Sequence, residues 1–373
     1  MIINEECYML EDGKISNLQF ICAFVLSRLM LTMTYLSYFK APPFNQDLWL
    51  SALLSAPMHI LLMLPAYFLA KRFRNMSAVQ SAEVILGPAG KLVSALFVWF
   101  FIHRTATILR EFGEFFTAIL YPETPILVFI GLTALFAAYA VKNGIETICR
   151  IAQIALPVIL FSVLLIMALL VKVFDLRCIL PVLEDGIAPV IYGAFVISSR
   201  TGMILAIPML IPYINIPGKL KNYLIIGLII LSFYFCIIVL LTAGVFGVEQ
   251  AKIIDFPFFY AVQLISVGDF LERIDVLFVA IWISGMFVHA SIHYYLAVLG
   301  TAQFLKLQDY RPILLPMGII IVSLSILQSE NMVALNKFLS YKVYTWYVLF
   351  FTVILPSFLL LAAVIRKKGA DSR

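Results

Sequence analysis

Charged residues are scarce in this chain. Only 13% of its 373 residues are Asp, Glu, Lys or Arg, and 63% are hydrophobic, whereas ordinary soluble domains contain about 25% charged residues. A soluble protein of this length could not bury so much apolar surface, but a lipid bilayer can accommodate it. The composition therefore predicts an integral membrane protein.

The sequence also lacks the short motifs that mark common enzymes. It has no nucleophile elbow, phosphate-binding loop, zinc-protease motif or paired-carboxylate motif. Its five cysteines form no Cys-x-x-Cys pair, and most lie in or beside apolar runs, which favours packing over a disulfide or metal role. We therefore do not expect an enzyme, and we expect no cofactor, no bound metal and no nucleic-acid partner.

Ten apolar windows are long enough to cross the roughly 30 Å of hydrocarbon in a bilayer. They lie at about 16–37, 48–70, 92–120, 126–141, 150–171, 187–212, 222–246, 274–305, 313–327 and 343–365. Open β-structure cannot satisfy its backbone hydrogen bonds in lipid, so each window is expected to be a helix. The prediction is an all-α integral membrane protein with ten transmembrane helices and one transmembrane domain, residues 16–366.

Loop charges predict the orientation of these helices. With the amino terminus inside, fifteen Lys and Arg residues fall on the cytoplasmic side and seven on the outer side, in agreement with the positive-inside rule. The first fourteen residues contain four acidic side chains rather than the basic start and cleavage site of a signal peptide. We expect both termini to be cytoplasmic, as tails of residues 1–15 and 367–373.

Helices one and six each carry an arginine near the centre, Arg28 and Arg200. They are the first members of two five-helix halves, which begin at about residues 16 and 187. The first half ends near 171; the second runs to about 342 and is completed by the last helix at 343–365. Because five is odd, the halves run in opposite directions, as in an inverted repeat.

Transporters built in this way interrupt the first helix of each half at the midplane and place the substrate site there. Gly193 and Gly202 bracket a Ser-Ser-Arg-Thr stretch in helix six, which predicts such a break. Helix one is a weaker candidate, because it has no glycine or proline between Ser16 and Ala41.

Helix three contains a polar face within the segment HRTATILREFGEFF. Residues at three- and four-residue steps share one side of a helix; here they are His103, Thr107, Arg110, Glu111 and Glu114, with Arg104 at the border. A central arginine costs roughly 2.5–3.5 kcal/mol on insertion scales, so this face must meet protein, water or a ligand.

Two interpretations of the charges are open. Glu111 and Glu114 can pair with Arg28, Arg110 or Arg200 and hold the bundle together. Alternatively, four arginines in the predicted helices face only two carboxylates, and the excess positive charge predicts an anionic ligand, most simply the carboxylate of an amino acid. In helix eight, His289 and His293 are four residues apart, and lining of a cavity or packing is favoured over a metal site. His59 is expected to satisfy local backbone groups.

The chain resembles spore germination permeases over nearly its whole length, and three segments carry the resemblance. They are NGIETICRIAQIALPVIL (143–160), LREFGEFFTAILYPETP (109–125) and FPFFYAVQLISVGDFLERIDVLFVAIWISGMF (256–287). The resemblance implies a B subunit of a spore germinant receptor, related to amino acid–polyamine–organocation transporters with the five-plus-five (LeuT-like) fold. It also implies a location in the spore inner membrane and two partners, an A subunit and a lipoprotein C subunit.

The resulting expectation is a receptor subunit that senses a small nutrient between helices one, three, six and eight. Arg28 and Arg200 are expected to face its anionic end, and the carboxylates of helix three to hold its amino end or to neutralise arginines. The other expected site residues are Ser27, Ser198, Ser199, Thr201, Gly202, His103, Thr107, Arg110 and His289. The alternatives are a proton-coupled amino-acid transporter working alone and a channel within the receptor.

Overall fold

The structure, a computed structural model, describes residues 10–11, 13–34, 45–265 and 274–369. Four expectations fall partly outside these residues: most of the amino-terminal tail, the end of the first window (35–37), positions 266–273 of the third family-like segment, and the last four residues of the carboxy-terminal tail. Within the described residues the regular structure is helical, apart from one isolated β-bridge between Ile15 and Ile214. The prediction of an all-α protein is confirmed.

The first half contains helices at all five expected windows and one additional short helix. They are α1 (Asn17–Thr34), α2 (Leu48–Arg72), α3 (Ala78–Leu86), α4 (Gly90–Phe115), α5 (Ile126–Lys142) and α6 (Gly144–Leu170). The short helix α3 begins with a capping box in which the Ser77 hydroxyl accepts from the Gln80 backbone N–H and the Gln80 side chain accepts from the Ser77 backbone N–H. Helix three of the prediction is α4, which continues as a π-helical turn over Phe116–Leu120.

The second half is more interrupted than the first. Its helices are α7 (Ile187–Ser199), α8 (Ala206–Leu210), α9 (Leu220–Ile253), α10 (Pro257–Gln263), α11 (Ile274–Phe304), α12 (Leu314–Leu327), α13 (Met332–Phe338), α14 (Tyr344–Leu349) and α15 (Leu355–Ile365). Helix eight is α11, and the last expected window contains α14 and α15, which a π-helical turn at Phe350–Ile354 joins.

Length and composition identify several of these helices as membrane spans. Among the described residues, six helices are long and apolar enough to cross a bilayer, and the number rises to eight when each of two bent pairs counts as one span. The shorter apolar helices α1 and α5 occupy the remaining two windows. Every expected window therefore contains a helix, and the count of ten crossings stays a prediction.

The break expected in helix six is confirmed, and a second break was not foreseen. Between α7 and the segment that starts at Gly202 the axis bends by 48°, and Arg200 lies in this interruption. The axis bends by 100° between α12 and α13. By contrast, α1 is one uninterrupted helix through Arg28, as its lack of glycine and proline suggested.

Helix one lies in the interior of the bundle, and helix six is buried around its break. α1 packs against α6, α9 and α11, and α2 packs along both α7 and α9. One close approach requires glycine: a Cβ on Gly227 of α9 would collide with the Ile21 side chain of α1. α4 packs along α11 and α12, so the polar face of helix three is directed at protein rather than lipid.

Candidate functional site

Arg28 connects helix one to the break in helix six. Its side chain is 3% exposed. Nε donates to Thr201 Oγ1 at 3.2 Å, and Nη2 donates to the Ile197 carbonyl at 3.3 Å. Within α1, Nη1 donates to Thr32 Oγ1 at 2.8 Å. The last carbonyl groups of a helix have no hydrogen-bond partner within that helix. The Arg28 guanidinium supplies such a partner at the end of α7, and its positive charge is attracted to the negative end of the helix dipole.

His59 on α2 extends this network. Its Nδ1 lies 2.7 Å from the Ser55 carbonyl, which can only accept, so Nδ1 donates. In the neutral ring Nε2 then accepts from the Thr201 hydroxyl at 2.8 Å. Thr201 thus accepts from Arg28 and donates to His59. The backbone role expected for His59 is correct, but its contact with the break was missed, because sequence spacing carries no information on contacts between distant helices.

The serines beside the break make backbone contacts. Ser198 Oγ donates to the Ala194 carbonyl at 2.7 Å and lies 3.1 Å from the Ser55 carbonyl. Ser199 Oγ donates to the Phe195 carbonyl at 2.6 Å. Gly202 opens the next helical turn, where a Cβ would approach Phe100 Cζ to 3.0 Å. These contacts give the predicted Ser198, Ser199 and Gly202 a clear part in shaping the break.

Arg200 and Arg104 meet at the ring of Tyr344. Arg200 Nη2 donates to the Leu339 carbonyl at 2.8 Å, and its Cζ is 5.1 Å from the Tyr344 ring centroid. Arg104 Cζ is 5.7 Å from the same centroid, and both distances suit cation–π attraction. Arg104 also pairs with Glu111, and Arg28 donates to Thr201, the residue that follows Arg200. We call Arg28, Arg104, Arg200, Glu111 and Tyr344, with His289, the midplane cluster, after the midplane position that the sequence predicts for Arg28 and Arg200.

Glu111 and His289 are both held by Arg104. Arg104 Nη1 lies 3.5 Å from Glu111 Oε1, and Nη2 lies 3.3 Å from His289 Nε2. Because a guanidinium can only donate, His289 Nε2 accepts, and the proton of the neutral ring is on Nδ1. Arg104 was placed at the border of the polar face and omitted from the expected site. Its seven-residue spacing from Glu111, about two helical turns, was the available signal.

The arginines aside, four buried polar atoms in the midplane cluster or next to Arg28 in the sequence make no hydrogen bond within the described chain. They are Ser27 Oγ, Glu111 Oε2, His289 Nδ1 and Tyr344 Oη. Their side chains are at most 3% exposed, and buried polar groups are normally hydrogen-bonded. Glu111 Oε2 can only accept, whereas His289 Nδ1 donates and the two hydroxyls do either. The arrangement therefore suits a small ligand that carries both donors and acceptors.

The remaining polar residues of helix three form a second group. Glu114 Oε1 accepts from Arg110 Nε at 2.8 Å and from Nη2 at 2.6 Å. Arg110 Nη1 also reaches the Ile326 carbonyl near the end of α12 at 3.4 Å. Thr107 Oγ1 lies 2.8 Å from the His103 carbonyl and 3.2 Å from Gln328 Oε1.

The contacts of this second group are made with α12 and α14 rather than with helix six. The His103 Nδ1 atom lies 3.0 Å from the Tyr347 hydroxyl of α14, and the others face the end of α12. The structure thus pairs Glu114 with Arg110 and Glu111 with Arg104, instead of pairing either carboxylate with Arg28 or Arg200. Of the predicted site residues on helix three, it brings Glu111 into the midplane cluster.

The two histidines of helix eight contact each other. His293 Nδ1 lies 3.0 Å from the His289 carbonyl, and their ring centroids are 4.7 Å apart. In the part of the chain that the structure describes, no group of three or more His, Cys, Asp or Glu side chains is arranged to hold a metal ion. His293 is thus held by backbone, whereas His289 Nδ1 makes no hydrogen bond within the described residues.

Comparisons with known proteins agree with this architecture. The family of spore germination proteins matches residues 14–333. Spore germination protein KB of Bacillus subtilis (strain 168) is 29% identical over 334 residues, which are 88% of this chain and 89% of that protein. Spore germination protein XB of Bacillus anthracis is 25% identical over 256 residues, 66% of this chain and 70% of that protein.

Among solved structures, the fold is similar to that of Mhp1, a nucleobase-cation-symport-1 family transporter, in a closed conformation with bromovinylhydantoin bound. The TM-score is 0.65 at 11% identity, and the match covers 91% of this chain and 77% of that one. At this identity the likeness concerns the fold alone. Since the family match extends over most of the chain, from helix one to α13, this protein belongs to the spore germination permease family.

Proposed function

We propose that this protein is the B subunit of a spore germinant receptor in the spore inner membrane. It crosses the bilayer ten times as a five-plus-five inverted repeat and senses a small nutrient, such as an amino acid, at the midplane cluster. The A and C subunits of the receptor are its partners. Membership of the germination family supports the biological role, and the clustered guanidinium groups beside the break in helix six support the site.

The anionic end of the nutrient binds beside Arg28 and Arg200. Both guanidinium groups donate to neutral carbonyl oxygens, those of Ile197 and Leu339. Hydrogen bonds from a guanidinium to a carboxylate are roughly twice as strong as bonds between neutral groups. A ligand carboxylate is therefore favoured over these carbonyl oxygens as the acceptor of the guanidinium hydrogen bonds. When it replaces them, the contacts at the end of α7 change.

The amino end of the nutrient binds at Glu111. One oxygen of this carboxylate faces Arg104, and the other is buried without a hydrogen bond in the described chain. An ammonium group supplies the donors that Glu111 Oε2 needs. The hydroxyls of Ser27 and Tyr344 and the Nδ1–H of His289 supply further hydrogen bonds around the ligand.

Binding signals by shifting a conformational equilibrium. The site joins the interrupted helix six to α4, α11 and α14, so a ligand that contacts all of them favours one arrangement over another. To move an equilibrium from 1:99 to 99:1, the ligand must bind the favoured state about 10⁴-fold more tightly. The A and C subunits then respond to the new arrangement of these helices.

Arg200→Gln in spores that carry the assembled receptor tests the assignment. The twenty amino acids are screened one by one for germination, and the concentration response to the active one is then measured. We expect the half-maximal concentration to rise at least tenfold, because the substitution removes the positive charge beside the break. Arg150→Gln, which changes an exposed arginine paired with Glu146, is the matched control. An unchanged response in Arg200→Gln would show that the site is elsewhere.

A proton-coupled amino-acid transporter is the second candidate. The observation in its favour is Glu111, a buried carboxylate in a fold similar to that of a transporter, because intramembrane carboxylates carry protons in such proteins. Purified protein in liposomes distinguishes the two functions. Amino-acid uptake driven by a proton gradient, without other subunits and lost in Glu111→Gln, supports transport; no uptake supports the receptor subunit.

A further inference from the structure

The segment before α1 is attached to the chain that follows helix six. The Ile15 N–H donates to the Tyr213 carbonyl at 2.8 Å, and the Asn215 N–H donates to the Ile15 carbonyl at 3.0 Å. Asn17 Nδ2 adds a bond to the Ile216 carbonyl at 2.9 Å. These contacts join the start of helix one to the end of helix six, the two helices that carry Arg28 and Arg200.

Glu11, four residues before Ile15, is bound to α6, α11 and the segment around Tyr310. Its Oε2 accepts from the Tyr295 hydroxyl of α11 at 2.8 Å and lies 3.3 Å from the Tyr310 hydroxyl. Its Oε1 accepts from the Ile145 N–H in the first turn of α6 at 3.2 Å. A carboxylate is favoured at a helix amino terminus, where backbone N–H groups lack partners.

The receiving pocket fits this carboxylate closely. Gly144 adopts φ +87°, and a Cβ there would collide with Glu11 Oε1. Tyr310 Oη is also 3.2 Å from the Val141 carbonyl at the end of α5, and the Tyr295 and Tyr310 rings stand edge to face with centroids 5.7 Å apart. Glycine, two tyrosines and a helix end thus converge on one side chain from three elements.

We propose that Glu11 is a latch that holds the inner end of the bundle closed. One side of the latch is the tail, with helices one and six attached to it; the other side is α6, α11 and the segment around Tyr310. In inverted-repeat folds, rocking of one group of helices against the other opens the midplane site to one side. Opening toward the side of the tail separates these two groups, so Glu11 must leave its pocket first. The latch is independent of which nutrient binds.

Two native cysteines report on the latch. Cys149 is four residues beyond Ile145 on α6 and is 0% exposed. Cys236 on α9 is 5% exposed and lies in another helix, outside the pocket. The full-length protein is prepared in lipid nanodiscs with either cysteine as the sole cysteine, and the rate of labelling by N-ethylmaleimide is measured.

Glu11→Ala is expected to raise the labelling rate of Cys149 at least tenfold and to leave that of Cys236 unchanged. Glu11→Gln, a neutral side chain of the same shape that keeps an acceptor for the Ile145 N–H, should label at close to the parental rate. Lys14→Gln, a change of an exposed tail residue, is the matched control and should have no effect.

The parental rate at Cys149 in Glu11→Ala would overturn the latch, and so would an equal rise at both cysteines, which indicates general loosening. If Glu11→Ala does not fold, the double variant Tyr295→Phe with Tyr310→Phe removes the two hydroxyl donors instead. It is expected to raise the labelling rate of Cys149 alone, and the parental rate would again exclude the latch.

Discussion

Helices one and six, which the proposed inverted repeat relates to each other, differ in local structure. α1 is continuous through Arg28, whereas helix six breaks at Arg200 with a 48° bend. Arg28 donates to Thr201 and to the Ile197 carbonyl across the gap. The two arginines therefore have different structural roles. Arg28, in the intact helix, holds the broken helix by hydrogen bonds, whereas Arg200 lies in the break itself.

The largest effect on the stability of the fold is expected from Arg28→Met, which we compare with Arg200→Met. The first change removes the described donors to Thr201, Thr32 and the Ile197 carbonyl, and each buried group left unsatisfied costs about 1–3 kcal/mol. The second removes the described donor to the Leu339 carbonyl. Thermal unfolding of the purified protein should show the larger loss for Arg28→Met. Equal losses, or a larger loss for Arg200→Met, would refute this difference in structural roles.

A smaller effect is expected from Thr201→Val, which keeps the shape of the side chain and removes its hydroxyl. Arg28 Nε and His59 Nε2 then lose the group that joins them, at a cost of about 1–3 kcal/mol in the free energy of unfolding. Thr201→Ser restores the hydroxyl and should be close to the parental protein. If valine and serine unfold alike in denaturant titrations, the hydroxyl does not join helix one to the break.

The smallest effect is expected from pH, acting on the tail that precedes helix one. Burial raises the pKa of Glu11 above its ordinary value, although the hydroxyls of Tyr295 and Tyr310, the Ile145 N–H and the charge of Arg311 oppose the rise. Because its pKa is higher in the pocket than in solution, where it is about 4.3, Glu11 binds in the pocket more tightly when it is protonated. That extra stability is complete below the solution pKa and is lost as pH rises through the pKa in the pocket.

The labelling rate of Cys149 should therefore rise severalfold with increasing pH. The same measurement on Glu11→Gln gives the part of the rise that comes from ionisation of the thiol itself, and the parental protein should exceed it. The same pH dependence in both proteins would exclude Glu11 as the titrating group.

The sequence predicted the elements that the bilayer dictates. Helix positions follow from apolar length, and the break at Ser-Ser-Arg-Thr followed from flanking glycines and a buried charge. The short helix α3 was missed, although its Ser77 and Gln80 form a recognisable capping box. The 100° bend after Leu327 was missed because neither glycine nor proline marks it.

Contacts between distant helices were beyond sequence patterns, whereas the pairing of charges follows spacing within α4. Helical periodicity places Glu111 and Glu114 on one face, and each pairs with an arginine of the same helix: Arg104 is seven residues before Glu111, and Arg110 is four residues before Glu114. His59, in contrast, reaches Thr201 from α2. That contact depends on how separate helices pack, which no spacing within one helix encodes.

The central claim is that the midplane cluster binds a negatively charged group. The most direct test compares an amino acid that triggers germination of spores carrying this receptor with its carboxamide, which has the same side chain and no negative charge. We predict that the amide is at least 100-fold less potent, and that the difference shrinks in Arg200→Gln. Equal potency of the acid and the amide would contradict the claim.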